Sequence, residues 1–508
     1  MFIRQKRNKS GSISIQILKK EGRQNRLIKT IGSSKDPLEL SRLLSTARRY
    51  ISDQKGQLSL SMDPEEEEAW FSSTLSHINQ VRLIGPELLL GKLFDEIGFN
   101  KIEEELFRHL VISRIIYPSS KLKTIRYLEE YQNKEYSVQS VYRYLDKLYE
   151  GQKEEIEQIS YEHTLKILKG NMSVVFYDVT TIYFEAERED ELRKSGFSKD
   201  GKHQHPQILL GLLVSIDGYP LSYEIFQGNK YEGHTMLPLI DSFKKRFKLD
   251  QLVLIADAGL LTNKNVEELL SKGYEFILGA RLKTESKELK EKILNLSLKE
   301  GESRIIRKGK DLNLVVSYTN SRAAKDKYNR DRGLKKLEKA LSKGKLSKQH
   351  INNRGYNKYL KLEGEIDISI DYQKFEADAR WDGLKGYLTN TKLKPRQIIK
   401  NYNELWKIER AFRISKTDLR IRPIYHRLQK RIEAHICISF CAYKVYKELD
   451  RQLKIKKVSI STQRAIELVK TIFGIVMTHP TSNRTKMMVF ANKENQKILM
   501  KKFKIPIG

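Results

Sequence analysis

The chain has 508 residues, 39% of them apolar, which suffices for large buried cores and excludes wholesale disorder. Its 95 Lys and Arg outnumber 64 Asp and Glu, a net charge of +31, so nucleic acid is the first partner to consider and an anionic membrane surface the second. Two cysteines, Cys437 and Cys441, exclude a disulfide framework and a four-thiolate zinc site, and point to a reducing cytosol. No stretch reaches about 18 apolar residues, so no membrane span is expected, and no apolar leader follows the basic MFIRQKRNKSGS start.

Along the chain, SISIQILKK and RQNRLIKTIG alternate with period two around the turn-prone Glu21–Asn25, and residues 37–51 then take helical spacing. This is a small hairpin-and-helix module, 1–60. Asp63, Pro64 and Glu65–Glu68 mark an acidic connector, 61–85. Residues 86–170 are amphipathic helical units, read as a helical DNA-binding region, with a stop and cap at Pro118–Lys121. Ser137–Tyr149 could be a DNA-recognition helix or part of an ordinary bundle. From Ser173 the character changes. SVVFYDVTTIYFEA, the two strands around Ile216–Pro220, LDQLVLIADAGL with its capped helix TNKNVEELLSKG, and YEFILGAR give an α/β domain with a mixed sheet, 171–282. A basic insertion, 283–393, follows. Within 321–350 it holds 11 Lys and Arg against 3 Asp and Glu. That helix is either a solvated face or DNA-facing, and EIDISIDYQKF and GYLTN read as strands beside it. Helices resume over 394–450 and 451–508.

Asp178 and Asp257 each sit in or at the end of an apolar strand, where an unpaired charge is expensive. Carboxylates brought together repel unless a cation lies between them, and Mg²⁺ takes such hard oxygen ligands together with substrate phosphate. Glu409 is the candidate third acid. Tyr402, Glu409 and Lys416 recur every seven residues and would share one face of a single helix, with Arg413 on it as well. The alternative is a surface helix with a Glu409–Arg413 salt bridge.

These residues resemble a bacterial insertion-sequence transposase of the DDE superfamily, in the insertion-sequence-four-like branch. FYDVTTIYF resembles the first catalytic strand, with Asp178 as first acid. IADAGL is similar to the Asp-x-Gly block, with Asp257 as second acid and Leu260 where an aromatic is usual. Tyr402, Glu409 and Lys416 match the Tyr-Arg-Glu-Lys signature, but Leu405 stands at its Arg position, and Arg413 or Arg410 could cover that role. The resemblance implies a ribonuclease-H-like catalytic core interrupted by the strand-rich insertion, and two Mg²⁺ ions (Mn²⁺ able to substitute) held by Asp178, Asp257 and Glu409. It implies phosphate contacts from Tyr402, Lys416, Arg413 and Arg410. It also implies cutting at the element's terminal inverted repeats, joining to target duplex DNA, a homodimer on DNA, and a cytoplasmic site of action at the nucleoid.

Three readings compete with this one. A catalytically silent, transposase-derived DNA-binding protein would keep the charge without the chemistry. A general metal-dependent nuclease would not need specific ends. A tyrosine recombinase would leave protein attached to DNA, whereas metal-dependent cleavage leaves a free 3′ hydroxyl. His203 and His205 suggest a metal pair without a third ligand. Cys437 and Cys441 read as core, and Trp381 and Trp406 as core or base-stacking platforms.

Overall fold

The computed structural model describes residues 1–22, 24–54, 68, 71–73, 75–186, 188–198, 201–202, 204–249, 252–352, 354–363, 367–479 and 482–506. His203 and all of the acidic connector's charged run except Glu68 lie outside them. The chain divides into two compact units. The first is Met1–Glu96, Lys121–Val138 and Glu448–Gly508; the second is Ile97–Ser120 and Gln139–Lys447. The helical stretch 86–170 is therefore shared between the two units. No helix among the described residues is long and apolar enough to cross a membrane.

In the first unit, β1 (Phe2–Arg7), β2 (Ile13–Glu21) and β3 (Gln24–Ser34) form an antiparallel sheet. The period-two residues Ile15 and Ile17 are fully buried against Ala47 of the Pro37–Gln54 helix. A second small sheet pairs β4 (Ile78–Leu83) with Phe473–Thr478, which pairs in turn with Thr485–Phe490. The C-terminal region is thus not wholly helical as expected. Its β-branched and Met-rich segments find partners in each other and in β4, a segment expected to be connector.

The second unit is built on one sheet of eight strands: β5 (Val174–Tyr183), β6 (Gln207–Ser215), β7 (Pro220–Gln227), β8 (Val253–Ala256), β9 (Glu275–Ala280), β10 (Ser303–Arg307), β11 (Asn313–Tyr318) and β14 (Leu384–Thr389). Their order is β10-β11-β14-β9-β8-β5-β6-β7, while β12 (Leu360–Glu363) and β13 (Asp367–Ile370) form a separate pair. An antiparallel meander β5-β6-β7 is followed across the sheet by β8 and β9, both parallel to β5. The apolar runs read as strands are those that lie buried on both faces: every residue of β6 and β8 is buried. Gly218, at φ +82°, closes the β6–β7 turn in the left-handed region that glycine adopts without strain.

Two expectations for the insertion change. It is not a strand-rich module separate from the core sheet, because β14 pairs with β9 and carries β11 and β10 beyond it. The end of EIDISIDYQKF is not strand either: Asp371 accepts the Lys374 amide and caps the Tyr372–Ala379 helix. The basic helix is Asn320–Ser342, and only Gly333 and Leu337 are buried on it.

Candidate active site

Register places the two aspartates side by side. Tyr177 of β5 pairs with Ala256 of β8, and Ala256 pairs with Leu278 of β9. Continued one step past the end of β8, this register sets Asp257 level with Asp178 and with Gly279. Gly279 pairs in turn with Tyr387 of β14. Residues level with one another in a sheet point to the same face, so Asp178, Asp257, Gly279 and Tyr387 form one row. The row lies where β8 stops. Asp257 follows that strand in extended conformation, and the short turn Ala258–Leu260 comes next, closed by Leu260 N–H donating to Asp257 O at 3.1 Å. Asp178 is half-buried and Asp257 exposed. Asp178 Oδ1 accepts the Val179 amide at 2.7 Å, which orients the carboxylate.

Gly279 leaves a gap in the row, and Tyr402 fills it. A Cβ at position 279 would lie 2.3 Å from the Tyr402 hydroxyl and 2.9 Å from Ala258 N. The hydroxyl donates to Asp257 Oδ1 at 3.2 Å, and the ring meets Tyr387 edge-on at 5.0 Å between centroids. Burial, then the charge and hydrogen bond of Asp257, and then Tyr387 and Glu409, push the Tyr402 phenol above its ordinary range. It stays protonated as a donor. A glycine inside an apolar strand is the sequence signal for such a close approach, and YEFILGAR carries it.

The single helix expected to carry Tyr402, Glu409 and Lys416 is two helices. Pro395–Asn403 ends one residue after Tyr402, and Trp406–Thr417 begins anew. Between them Glu404, Leu405, Lys407 and Ile408 donate backwards over three residues, to Asn401, Tyr402, Glu404 and Leu405, so the break is a tight turn. The first helix packs on β8, β9 and β10, and the second on β5 and β6. The pair therefore straddles the aspartate row. Glu409 and Arg413 are exposed, and Arg410 and Lys416 half-buried. No ion pair joins Glu409 to Arg413 among the described residues. Leu405, at the signature Arg position, is 7% exposed and serves packing.

A family model described as "Transposase DDE domain" matches residues 169–444, more than half of the chain. The chain belongs to the transposase DDE domain family. No curated protein matches it. Two solved structures are similar at low identity. One is a piggyBac transposase synaptic complex with hairpin DNA, seen by cryo-EM (9% identical, 78% of this chain and 80% of that chain, TM-score 0.38). The other is a Mos1 transposase paired-end complex with the left transposon end (11% identical, 47% of this chain and 75% of that chain, TM-score 0.16).

For a DDE-family site the donors are right in kind, since Asp178, Asp257 and Glu409 offer only hard oxygens. Asp257 and Glu409 are close enough that both act on Tyr402 and on Lys385. Among the described residues, no three His, Cys, Asp or Glu side chains converge as a ready-made ion cage. The other candidates fall elsewhere. His205 meets the Tyr183 ring at 6.1 Å. Cys437 and Cys441 are buried free thiols, and burial pushes the Cys441 thiol far up. Leu260 is 2% exposed in the core behind the row. Trp381 packs against the cluster of Leu282, Ile293, Leu314 and Val316, while Trp406 is 48% exposed.

Sequence reasoning missed the Tyr402–Asp257 hydrogen bond, which has a measurable consequence. Tyr402→Phe keeps the ring against Tyr387 but frees one lone pair of Asp257. A hydrogen bond to a charged group contributes about 1.5–3 kcal/mol, so strand cleavage should fall roughly 10- to 100-fold. The same bond is lost from the folded protein, so stability should fall by no more than that amount. Single-turnover cleavage and a thermal melt on the same preparation check both.

Proposed function

We propose that the chain is a DDE transposase of the insertion-sequence-four-like branch, with Asp178, Asp257 and Glu409 as its acids. It would cut DNA at the ends of a mobile element and join them to target DNA. The observation that carries this is the side-by-side row of Asp178 and Asp257 at the end of β8, in a family whose chemistry needs such acids. The antiparallel meander followed by two parallel strands supports the ribonuclease-H-like reading of the core.

In this reading Asp178 and Asp257 would hold divalent ions from the sheet, with Glu409 of the Trp406–Thr417 helix as the third ligand. Mg²⁺ suits the donors, and Mn²⁺ has similar demands. Bound there, two divalent ions would supply activation of the attacking oxygen and charge stabilisation of the leaving one. The protein's own part is positioning. The Val179 amide fixes one carboxylate and the Tyr402 hydroxyl the other. Lys416, Arg413 and Arg410, on one helix with Glu409, offer positive charge to the DNA backbone. Double-stranded DNA is the partner, with a homodimer engaging two ends. Tyr402 serves Asp257 here, so its expected direct contact with phosphate becomes the lesser role.

The test is a supercoiled plasmid carrying the DNA that flanks the gene. Mg²⁺-dependent cleavage should leave 3′ hydroxyls that a template-independent polymerase can extend. Protein covalently attached to the cut strand would instead identify a tyrosine recombinase. Arg413→Ala should lower end cleavage several-fold with an unchanged melt, because no Glu409 ion pair is lost with it. Wild-type cleavage by that variant removes Arg413 from the DNA contacts.

A further inference from the structure

Beside the aspartate row, the second unit contains a cavity of about 570 Å³ between the ends of β9 and β14 and the insertion. Its wall carries six Lys or Arg side chains against three Asp. The three carboxylates are engaged locally. Asp378 is held by Lys283 and Lys358, each at 2.5 Å, and by the Tyr359 hydroxyl at 2.6 Å. Burial alone would raise its carboxyl, but these three donors bring it down to about 2. Asp382 is paired with Arg330, and Asp326 lies 3.5 Å from Arg322 Nε. Two cations remain, Lys385 and Arg281.

Lys385 occupies an unusual position. It lies two residues before Tyr387 on β14, so it points to the same face as Asp178, Asp257 and Gly279. Its Nζ sits 4.6 Å from the centre of the Tyr402 ring and 5.4 Å from that of Tyr387, and the side chain also lines the cavity. Among the described residues the ammonium donates no hydrogen bond and joins no ion pair. Asp257 and Glu409 act on it only through space, and burial together with Arg322 keeps it below the usual lysine range. A half-buried ammonium has three donors to satisfy, and two ring faces only partly replace the water it has lost. An anionic oxygen would satisfy them. Arg281 stands one register step beyond the Ala280–Gly386 pair, level with Lys385, and is exposed.

We propose that Lys385 binds a phosphate of the DNA strand engaged at Asp178 and Asp257, and that Arg281 takes the adjoining phosphate at the cavity wall. This rests on the DNA-cleaving reading above. The cavity would then guide the strand out of the site along a net positive wall, while the row of acids stays free for metal. Arg322 is a poorer candidate, since its Nε already donates to Leu384 O at 3.1 Å.

The experiment uses the full chain and a fluorescein-labelled random-sequence duplex with Mg²⁺, and follows anisotropy through a NaCl series. Each neutralised phosphate contributes about −0.9 to the slope of log affinity against log salt. Lys385→Met should therefore make the slope shallower by about 0.9, Lys385→Arg should restore it, and Lys385→Met with Arg281→Met should change it by about twice that. Lys385→Gln keeps an apolar stem with a neutral polar tip beside the two rings and serves as the second variant if Lys385→Met melts early. Wild-type slopes in the Met and Gln variants, with or without a lower melting temperature, would overturn the proposal and leave Lys385 a packing residue. A flat response in the unmodified protein would instead sink the DNA reading itself, so the two failures are distinct.

Discussion

Asp257→Asn should abolish metal-dependent strand cleavage while leaving the protein folded, and Asp178→Asn should do the same. Asparagine is nearly isosteric, so the strand register survives and Asn Oδ1 can still accept from Tyr402. What disappears is one negative charge: Asp257 is exposed, and its carboxylate accepts the Tyr402 hydroxyl, a bond that asparagine keeps. Substitutions at exposed positions usually change stability by no more than about 0.5 kcal/mol. Losing an ion ligand forfeits several kcal/mol of transition-state stabilisation, roughly a thousand-fold or more in rate. The control is Asp217→Asn, at the exposed β6–β7 turn of the same unit, which should cut at the wild-type rate. Glu409→Gln should match the two aspartate variants if Glu409 is the third ligand. Plasmid cleavage together with Mn²⁺ titration by calorimetry separates lost metal from lost fold. Near-normal cleavage by any one variant removes that residue from the site.

Much of this site was legible in the chain, and the reason is local. An Asp interrupting FYDVTTIYF or ending VLIAD is conspicuous because β-branched and apolar neighbours dictate a buried strand on their own. The strand-helix units after Ser173 follow from the same local pattern, as does the Thr262 cap, whose side chain accepts the Asn265 amide. What was not legible depends on distant partners. GYLTN reads as a strand, but nothing near it says that Tyr387 pairs with Gly279, more than a hundred residues away, and so joins the core sheet. The seven-residue spacing of Tyr402 and Glu409 suits one helix equally well. The break at Glu404–Leu405 serves tertiary packing, with Tyr402 held over Gly279 and Leu405 turned inward. Strand β4 was hidden for a similar reason. INQVRL is short and partly polar, and becomes a strand only through the pairing of Gln80 with Val476 and Val81 with Ile475.

Arg246→Ala should be strongly destabilising, although it lies away from the acids. Glu157, on the Lys153–Ile167 helix, has no exposed surface. Its Oε1 accepts the Ser222 hydroxyl and the Tyr223 amide, each at 3.1 Å, which ties the helix to β7, and Arg246 donates to Oε2. Removing one partner of a buried pair leaves an uncompensated charge and costs about 3–5 kcal/mol. Arg246 keeps some solvent contact and Lys153 also attracts Glu157, so the low end, about 3 kcal/mol, is expected. The pH dependence identifies the cause. Burial raises the Glu157 carboxyl above its ordinary 4.5, outweighing the pull of Lys153 and Arg246. A carboxyl raised in the folded state holds its proton more tightly there than in the unfolded chain. Its favourable contribution is therefore complete below 4.5 and is lost as pH rises through the folded value. Without Arg246 the folded value rises further, so the deficit relative to wild type should be widest at neutral pH and narrow on acidification as Glu157 becomes protonated in both proteins. Urea melts of the two proteins across that range measure the gap. A deficit below about 1 kcal/mol that does not vary with pH would mark the contact as an ordinary surface ion pair.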